Sequence, residues 1–128
     1  MKRLAIFATL LWCVPGAYAA NWVQLRSGSD GVASYDTSSI AVSGHLVRVW
    51  IDYKEPESTV VDPNSPATAE TKTRLIIDCR KHTVASGESV RYDAAGEILD
   101  SQQGLPGVFR APVPDTPSEK ITALVCKD

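Results

Sequence analysis

The chain has 128 residues, 44% of them hydrophobic, with 13 Lys and Arg against 15 Asp and Glu and a formal net charge of −2. That length supports one small domain built around one core. The mild acidity argues against a nucleic-acid binder, which would carry a basic face, and no Lys/Arg block or basic amphipathic helix is present for docking on a membrane surface.

The first segment reads MKRLAIFATLLWCVPGAYAA. Lys2 and Arg3 precede an apolar run from Leu4 to Val14, Pro15 and Gly16 break it, and Ala17-Tyr18-Ala19 matches the small-x-small cleavage pattern of a secretory leader. The expectation is a signal peptide over residues 1–19 and an exported domain over residues 20–128 with no transmembrane segment of its own. Cys13 follows the bulky Trp12, where lipidation wants a small residue, so the exported chain is expected to carry no lipid anchor. Its location would be the periplasm, the cell surface or the extracellular space.

The rest of the chain reads mainly as β. WVQLR (Trp22–Arg26) alternates as a half-buried strand does, SGSDG is turn material, and VASYD is a second short strand. TSSIAVSG reads as a connector. HLVRVWIDYK carries the strongest alternation, with Val47, Val49, Ile51 and Tyr53 on one face and Leu46, Arg48, Trp50, Asp52 and Lys54 on the other. Glu55 to Glu70, rich in Pro, Ser and Thr, reads as a long exposed, mobile loop. TKTRLIIDCR follows as a strand that sets Leu75, Ile77 and Cys79 on one face. HTVASGESVRYD is the next, with a bulge or bend expected at Gly87. DAAG closes a hairpin onto EILDS, and the segment after it is irregular, with a short extended piece around Val108 to Arg110.

The period then changes. In DTPSEKITALVCKD, Thr116 is placed to cap a helix, Pro117 suits its first position and Glu119 completes a T-x-x-E capping box. Ile121, Leu124 and Val125 give that helix an apolar face, with Cys126 near its edge. The predicted fold is α+β: a single antiparallel sheet of about six strands with the C-terminal helix packed on one face and tied there by a disulfide.

That tie is Cys79–Cys126. Export places these two cysteines in an oxidising space, where an isolated pair in a small domain forms a bridge. Other roles fit less well. His82 is the nearest base for a Cys79 nucleophile, but on a strand positions 79 and 82 point to opposite faces. Cys79, His82, Cys126 and a distant His45 match no zinc-site spacing, and no C-x-x-C is present. No metal, cofactor or catalytic constellation is expected: G-x-S-x-G, H-E-x-x-H, a Walker loop and G-x-G-x-x-G are all missing from the sequence.

Asp52 and Asp78, on the strand faces away from the aliphatics, read either as a carboxylate pair or, more simply, as part of a solvated sheet face. Arg48, Arg74, Arg80 and Arg91 are assigned to that same face, in cross-strand charge pairs. Trp50 among them is an anchor for a partner or a ring sheltered by arginine stems and the long loop. The candidate partner-binding set is therefore Trp50, Arg48, Arg74, Arg80 and Arg91.

The segments NWVQL, ASYDTSSI and GHLVRVWIDY, then KTRLIIDCRKHTVASGESVRYDAAGEILDS, then PSEKITALVCKD, resemble the surface-adhesin protein E family of Gram-negative bacteria. The resemblance implies the same sheet with a disulfide-tied C-terminal helix, and adhesion to host matrix and serum proteins, with a homodimer among the arrangements it allows. The type member is lipidated, which this chain's leader does not support. Function thus reads first as an exported, non-enzymatic binding protein of that kind. A soluble periplasmic protein that binds an envelope component or acts as an inhibitor is the alternative. A small hydrolase ranks last, for want of a nucleophile, base and orienting group.

Overall fold

The computed structural model describes residues 19–56 and 67–127. All but the last residue of the expected leader, residues 1–18, and residues 57–66 of the expected mobile loop lie outside the described residues. Seven strands form one antiparallel sheet: β1 (Trp22–Gly28), β2 (Gly31–Asp36), β3 (Ala41–Ser43), β4 (Leu46–Lys54), β5 (Glu70–Asp78), β6 (Thr83–Tyr92) and β7 (Ile98–Gln102). Their spatial order is β1-β2-β4-β5-β6-β7, with β3 paired to the first part of β4. One helix, α1 (Pro117–Val125), follows. The connector TSSIAVSG proves to be a short 3-10 turn at Thr37–Ser39 leading into β3. Asp36 opens that turn by accepting from the Ser38 amide at 3.0 Å and the Ser38 hydroxyl at 2.6 Å.

Three turns between strands close on residues suited to them. Gly31 has φ +123°, and a Cβ there would lie 2.3 Å from the Lys54 carbonyl oxygen, so both backbone conformation and space require glycine. Gly96 and Gly44 carry the positive φ of their turns. Asp93 Oδ1 accepts from the amides of Ala95 and Glu97, which fixes the β6–β7 turn.

The core lies between α1 and one face of the sheet. Leu25, Ala33, Val47, Val49, Ile51, Leu75 and Ile77 pack with Ile121, and Tyr35, Tyr53, Val84 and Val125 close its edges. Ile77, Ile121 and Val49 are fully buried. Strand alternation places these residues together: in register, Val47 faces Ile77 and Val49 faces Leu75 across β4 and β5. Of the expected apolar helix face, Ile121 and Val125 point inward, but Leu124 is 38% exposed. Thr122 is buried in its stead, its hydroxyl donating to the Ser118 carbonyl at 2.7 Å.

The helix start follows the capping residues. Thr116 Oγ1 accepts from the Glu119 amide at 3.4 Å. Glu119 reaches back to the Asp115 amide at 2.6 Å, one residue earlier than the standard capping box. Arg26 donates to the Asp115 carbonyl at 2.9 Å and so ties the helix N-terminus to β1. At the other end, Cys79 and Cys126 are bridged with their Cα atoms 5.2 Å apart. The helix is fastened at both ends.

The bridge spans 47 residues of sequence. Closing a loop of that length contributes about 4 kcal/mol in the chain-entropy treatment. The expected outcome is that residues 20–128, produced in an oxidising compartment, purified, denatured and left unreduced, titrate no free thiol. Cys79→Ala with Cys126→Ala should lose roughly 2–4 kcal/mol of unfolding free energy, with a larger m value because the unbridged denatured chain exposes more surface. Two free thiols in the unreduced chain would contradict the bridge.

Candidate functional site

The second face of the sheet, turned away from α1, carries no layer of helix or strand among the described residues. Its composition follows from register. On β4 it shows Leu46, Arg48, Trp50, Asp52 and Lys54, paired across to Asp78, Ile76, Arg74, Lys72 and Glu70 on β5. On β2 and β1, Ser34 lies beside Asp52, and Trp22 pairs with Asp36.

Strand β6 enters this face with its phase changed. Between Thr73↔Ser89 and Leu75↔Ser86 the register slips, so that Gly87 and Glu88 stand opposite Arg74 alone. This is the bulge expected at Gly87. A Cβ there would come within 3.2 Å of the Arg74 carbonyl oxygen. A one-residue slip turns every later side chain to the other face. Tyr92, paired with Glu70, and Val90, paired with Lys72, therefore join Trp50.

The same slip corrects the placement of Arg91. Arg91 pairs with Thr71, on the helix side of the sheet, and is held there by Asp100, which takes both its Nε at 2.8 Å and its Nη2. Arg80 also departs from the expectation. It lies in the turn after β5, exposed, with its amide donating to Asp78 Oδ1 at 2.9 Å. Of the five candidate residues the structure brings together Trp50, Arg48 and Arg74. Trp50 and Arg74 are direct cross-strand partners, Trp50 is half-buried, and its amide is held by Ser39 Oγ at 2.9 Å.

The two aspartates are not the solvated surface groups they resemble. Both are only 6% exposed. They stand at opposite ends of the sheet, since Asp52 pairs with Lys72 and Asp78 with Leu46. Asp78 ties the β5–β6 turn through the Arg80 and Lys81 amides, with His45 Nε2 3.7 Å away. Burial pushes its carboxyl up, but the Lys81 and Arg80 amides and His45 outweigh that and hold it below the usual range. Asp36 behaves alike: burial raises it, and the bonds from Ser38 and Asn21 bring it below its ordinary value.

Asp52 differs. Burial first, then the hydrogen-bonded and charged Glu70 carboxyl, push it up to about 7 against the weaker pull of Lys54 and Lys72. A buried carboxyl that faces a second carboxyl holds its proton more tightly than one in water. Asp52 Oδ1 is buried and receives no bond from an N–H or hydroxyl donor.

Beside this pair stands a group that the sequence reading left out of the binding set. Lys72 Nζ lies 5.5 Å from the Trp22 ring centroid and 5.1 Å from that of Tyr92. It also lies 3.8 Å from Glu70 Oε1. The site is thus a strip running from Arg48 and Trp50 through Arg74 to Lys72, Trp22 and Tyr92, with a protonatable Asp52–Glu70 pair beneath Lys72. Chemically it can stack on apolar or planar groups and donate to carboxylates or carbonyls. Among the described residues no cluster of His, Cys, Asp and Glu could hold a metal, and no helix is long and apolar enough to cross a membrane.

The family model described as "Surface-adhesin protein E" matches residues 22–127. No curated protein matches the chain. Crystal form II of Haemophilus influenzae protein E is similar in fold, with 14% identity, a TM-score of 0.58 and coverage of 88% of this chain and 91% of that one. Protein E from non-typeable Haemophilus influenzae is similar at 15% identity and TM-score 0.55, covering 88% of this chain and 79% of that one. At such identity the likeness carries the fold.

The buried aspartate makes stability depend on pH with a definite sign. Asp52 binds its proton more tightly folded than unfolded. Its contribution is therefore present below about pH 4 and is lost as pH rises toward 7. Asp36 and Asp78 do the opposite, losing their contributions as pH falls below the ordinary carboxylate range. Asp52→Asn should accordingly gain on the wild type between about pH 4.5 and about pH 8, on the order of a few kcal/mol. Urea unfolding of both proteins at the two pH values measures it. An equal difference at both would show that Asp52 titrates like an exposed carboxylate.

Proposed function

The chain belongs to the surface-adhesin protein E family, and on that premise we propose that it is an exported, non-enzymatic binding protein that meets its partner through the sheet face turned away from α1. The observation that carries this reading is the strip of Trp50, Trp22 and Tyr92 interleaved with Arg48, Arg74 and Lys72, standing on a face that the helix leaves free. Trp, Tyr and Arg are the residue types that concentrate binding energy at protein interfaces. A rigid sheet presents them at fixed spacing, so little ordering entropy is lost on contact.

The partner class is a host matrix or serum protein, and the site of action is the cell surface or the space beyond it. Arg91 and Arg80 fall outside the strip, so the binding set narrows to Trp50, Arg48 and Arg74, extended by Trp22, Lys72 and Tyr92. The helix-covered face is unavailable, because a partner there would have to displace Ile121 from the core.

Binding of the exported chain to immobilised matrix and serum glycoproteins tests this, alongside fractionation of the producing cell. Trp50→Ala should weaken binding by about 1–2 kcal/mol while leaving the melting temperature nearly unchanged. Arg91→Ala should leave binding unaltered. Weaker binding from Arg91→Ala with none from Trp50→Ala would move the interface to the other side of the sheet. Retention of the chain in the periplasm, with no affinity for host proteins, would point to an envelope partner instead.

A further inference from the structure

Asp52 is an odd residue to find buried on an interior strand of a sheet. It sits two residues before the end of β4, 6% exposed, with Oδ1 buried and without a donor. Its neighbours fix what can happen to it. From its own strand Lys54 faces it, and from β5 come Glu70 and Lys72. Strand β2 sets the uncharged Ser34 opposite it. Among the described residues, Glu70 is the acidic group that faces it and Lys72 the cation directly across. Lys72 in turn is poised between alternatives. Its ammonium lies against two ring faces, those of Trp22 and Tyr92, and 3.8 Å from Glu70 Oε1.

We propose that Asp52 and Glu70 form a proton-operated switch that holds Lys72 between the Trp22 and Tyr92 rings while the pair shares a proton, and draws it onto Asp52 when that proton leaves. With the proton in place the pair carries one negative charge. The neutral Asp52 carboxyl then has no claim on the ammonium, so Lys72 keeps its contacts with the rings and with Glu70. When the proton passes to solvent, two carboxylates face each other and the buried Asp52 oxygen has no donor. An unpaired buried carboxylate is far more costly than a lost cation–π contact at a partly exposed site. Of the two cations that face it, Lys72 lies directly across the strand pair, whereas Lys54 is exposed at the end of Asp52's own strand. Movement of Lys72 uncovers both ring faces, so the switch sets whether the two aromatics are occupied from within or open to a ligand. Raising the pH through neutrality opens them.

The switch operates without a partner, so its test is separate from that of binding. Carboxyl and lysine side-chain carbons of the full chain, isotopically labelled, can be followed by NMR across the neutral range. The Asp52 carboxyl should titrate within about one pH unit of neutrality. The Lys72 ε-protons, moved upfield by the two rings at low pH, should shift downfield with the same midpoint. Glu70→Gln should lower the Asp52 midpoint by about one unit or more, since it removes the like charge. Asp52→Asn should leave the Lys72 signals independent of pH. An Asp52 midpoint in the ordinary carboxylate range, or Lys72 signals that stay fixed while Asp52 titrates, would overturn the proposal. The wild-type titration decides the matter even where a variant fails to fold.

Discussion

Burial of Ile121 against Val49 and Ile77 is the contact on which the rest of the molecule depends. A sheet of seven strands offers two faces, and a nine-residue helix can cover only part of one. A helix that short has little stability of its own. It holds its position because it is fastened at both ends, by Arg26 on the Asp115 carbonyl at its start and by the Cys79–Cys126 bridge at its finish. Once the helix is placed, the remaining assignments follow. Val47, Val49, Ile51, Leu75 and Ile77 are core, and the residues alternating with them are left for other uses.

The second determinant is the slip in register at Gly87. Without it, Tyr92 would lie on the helix side and Arg91 would lie on the face that carries Trp50. With it, an arginine that would have enriched the far face pairs privately with Asp100, and an aromatic takes its place next to Lys72. One residue thus alters the chemistry of a surface several positions away, through the period-two geometry of strands. The slip needs close approach of backbone to backbone, which glycine permits.

These two features explain what was legible in the sequence and what was not. The helix, its Thr116 cap and its inward Ile121 could be read because capping residues and a 3.6 period are local signals. The strands, the bridge and the two faces of β4 could be read because alternation there is unbroken. A bulge at Gly87 was also readable, but its consequence for Arg91 and Tyr92 depends on how many residues slip, which only pairing with β5 defines. Glu70 was hidden because it looked like the end of a loop and is instead the first residue of β5. Asp52 looked like a solvated surface group because alternation shows which face a side chain takes and not what its neighbours cover. The Lys72, Trp22 and Tyr92 cluster joins three strands distant in sequence, and no local pattern announces it.

Which face of the sheet α1 covers is the claim that core, bridge and proposed binding surface all share. Nuclear Overhauser contacts from the Ile121 methyl groups in the oxidised full chain test it directly. They should reach the methyls of Val49 and Ile77 and be missing to Ile76 and the Trp50 ring, which lie on the other side of the same strands. Contacts from Ile121 to Ile76 or Trp50 would mean that the helix lies on the opposite face, and the assigned core and binding surface would exchange places.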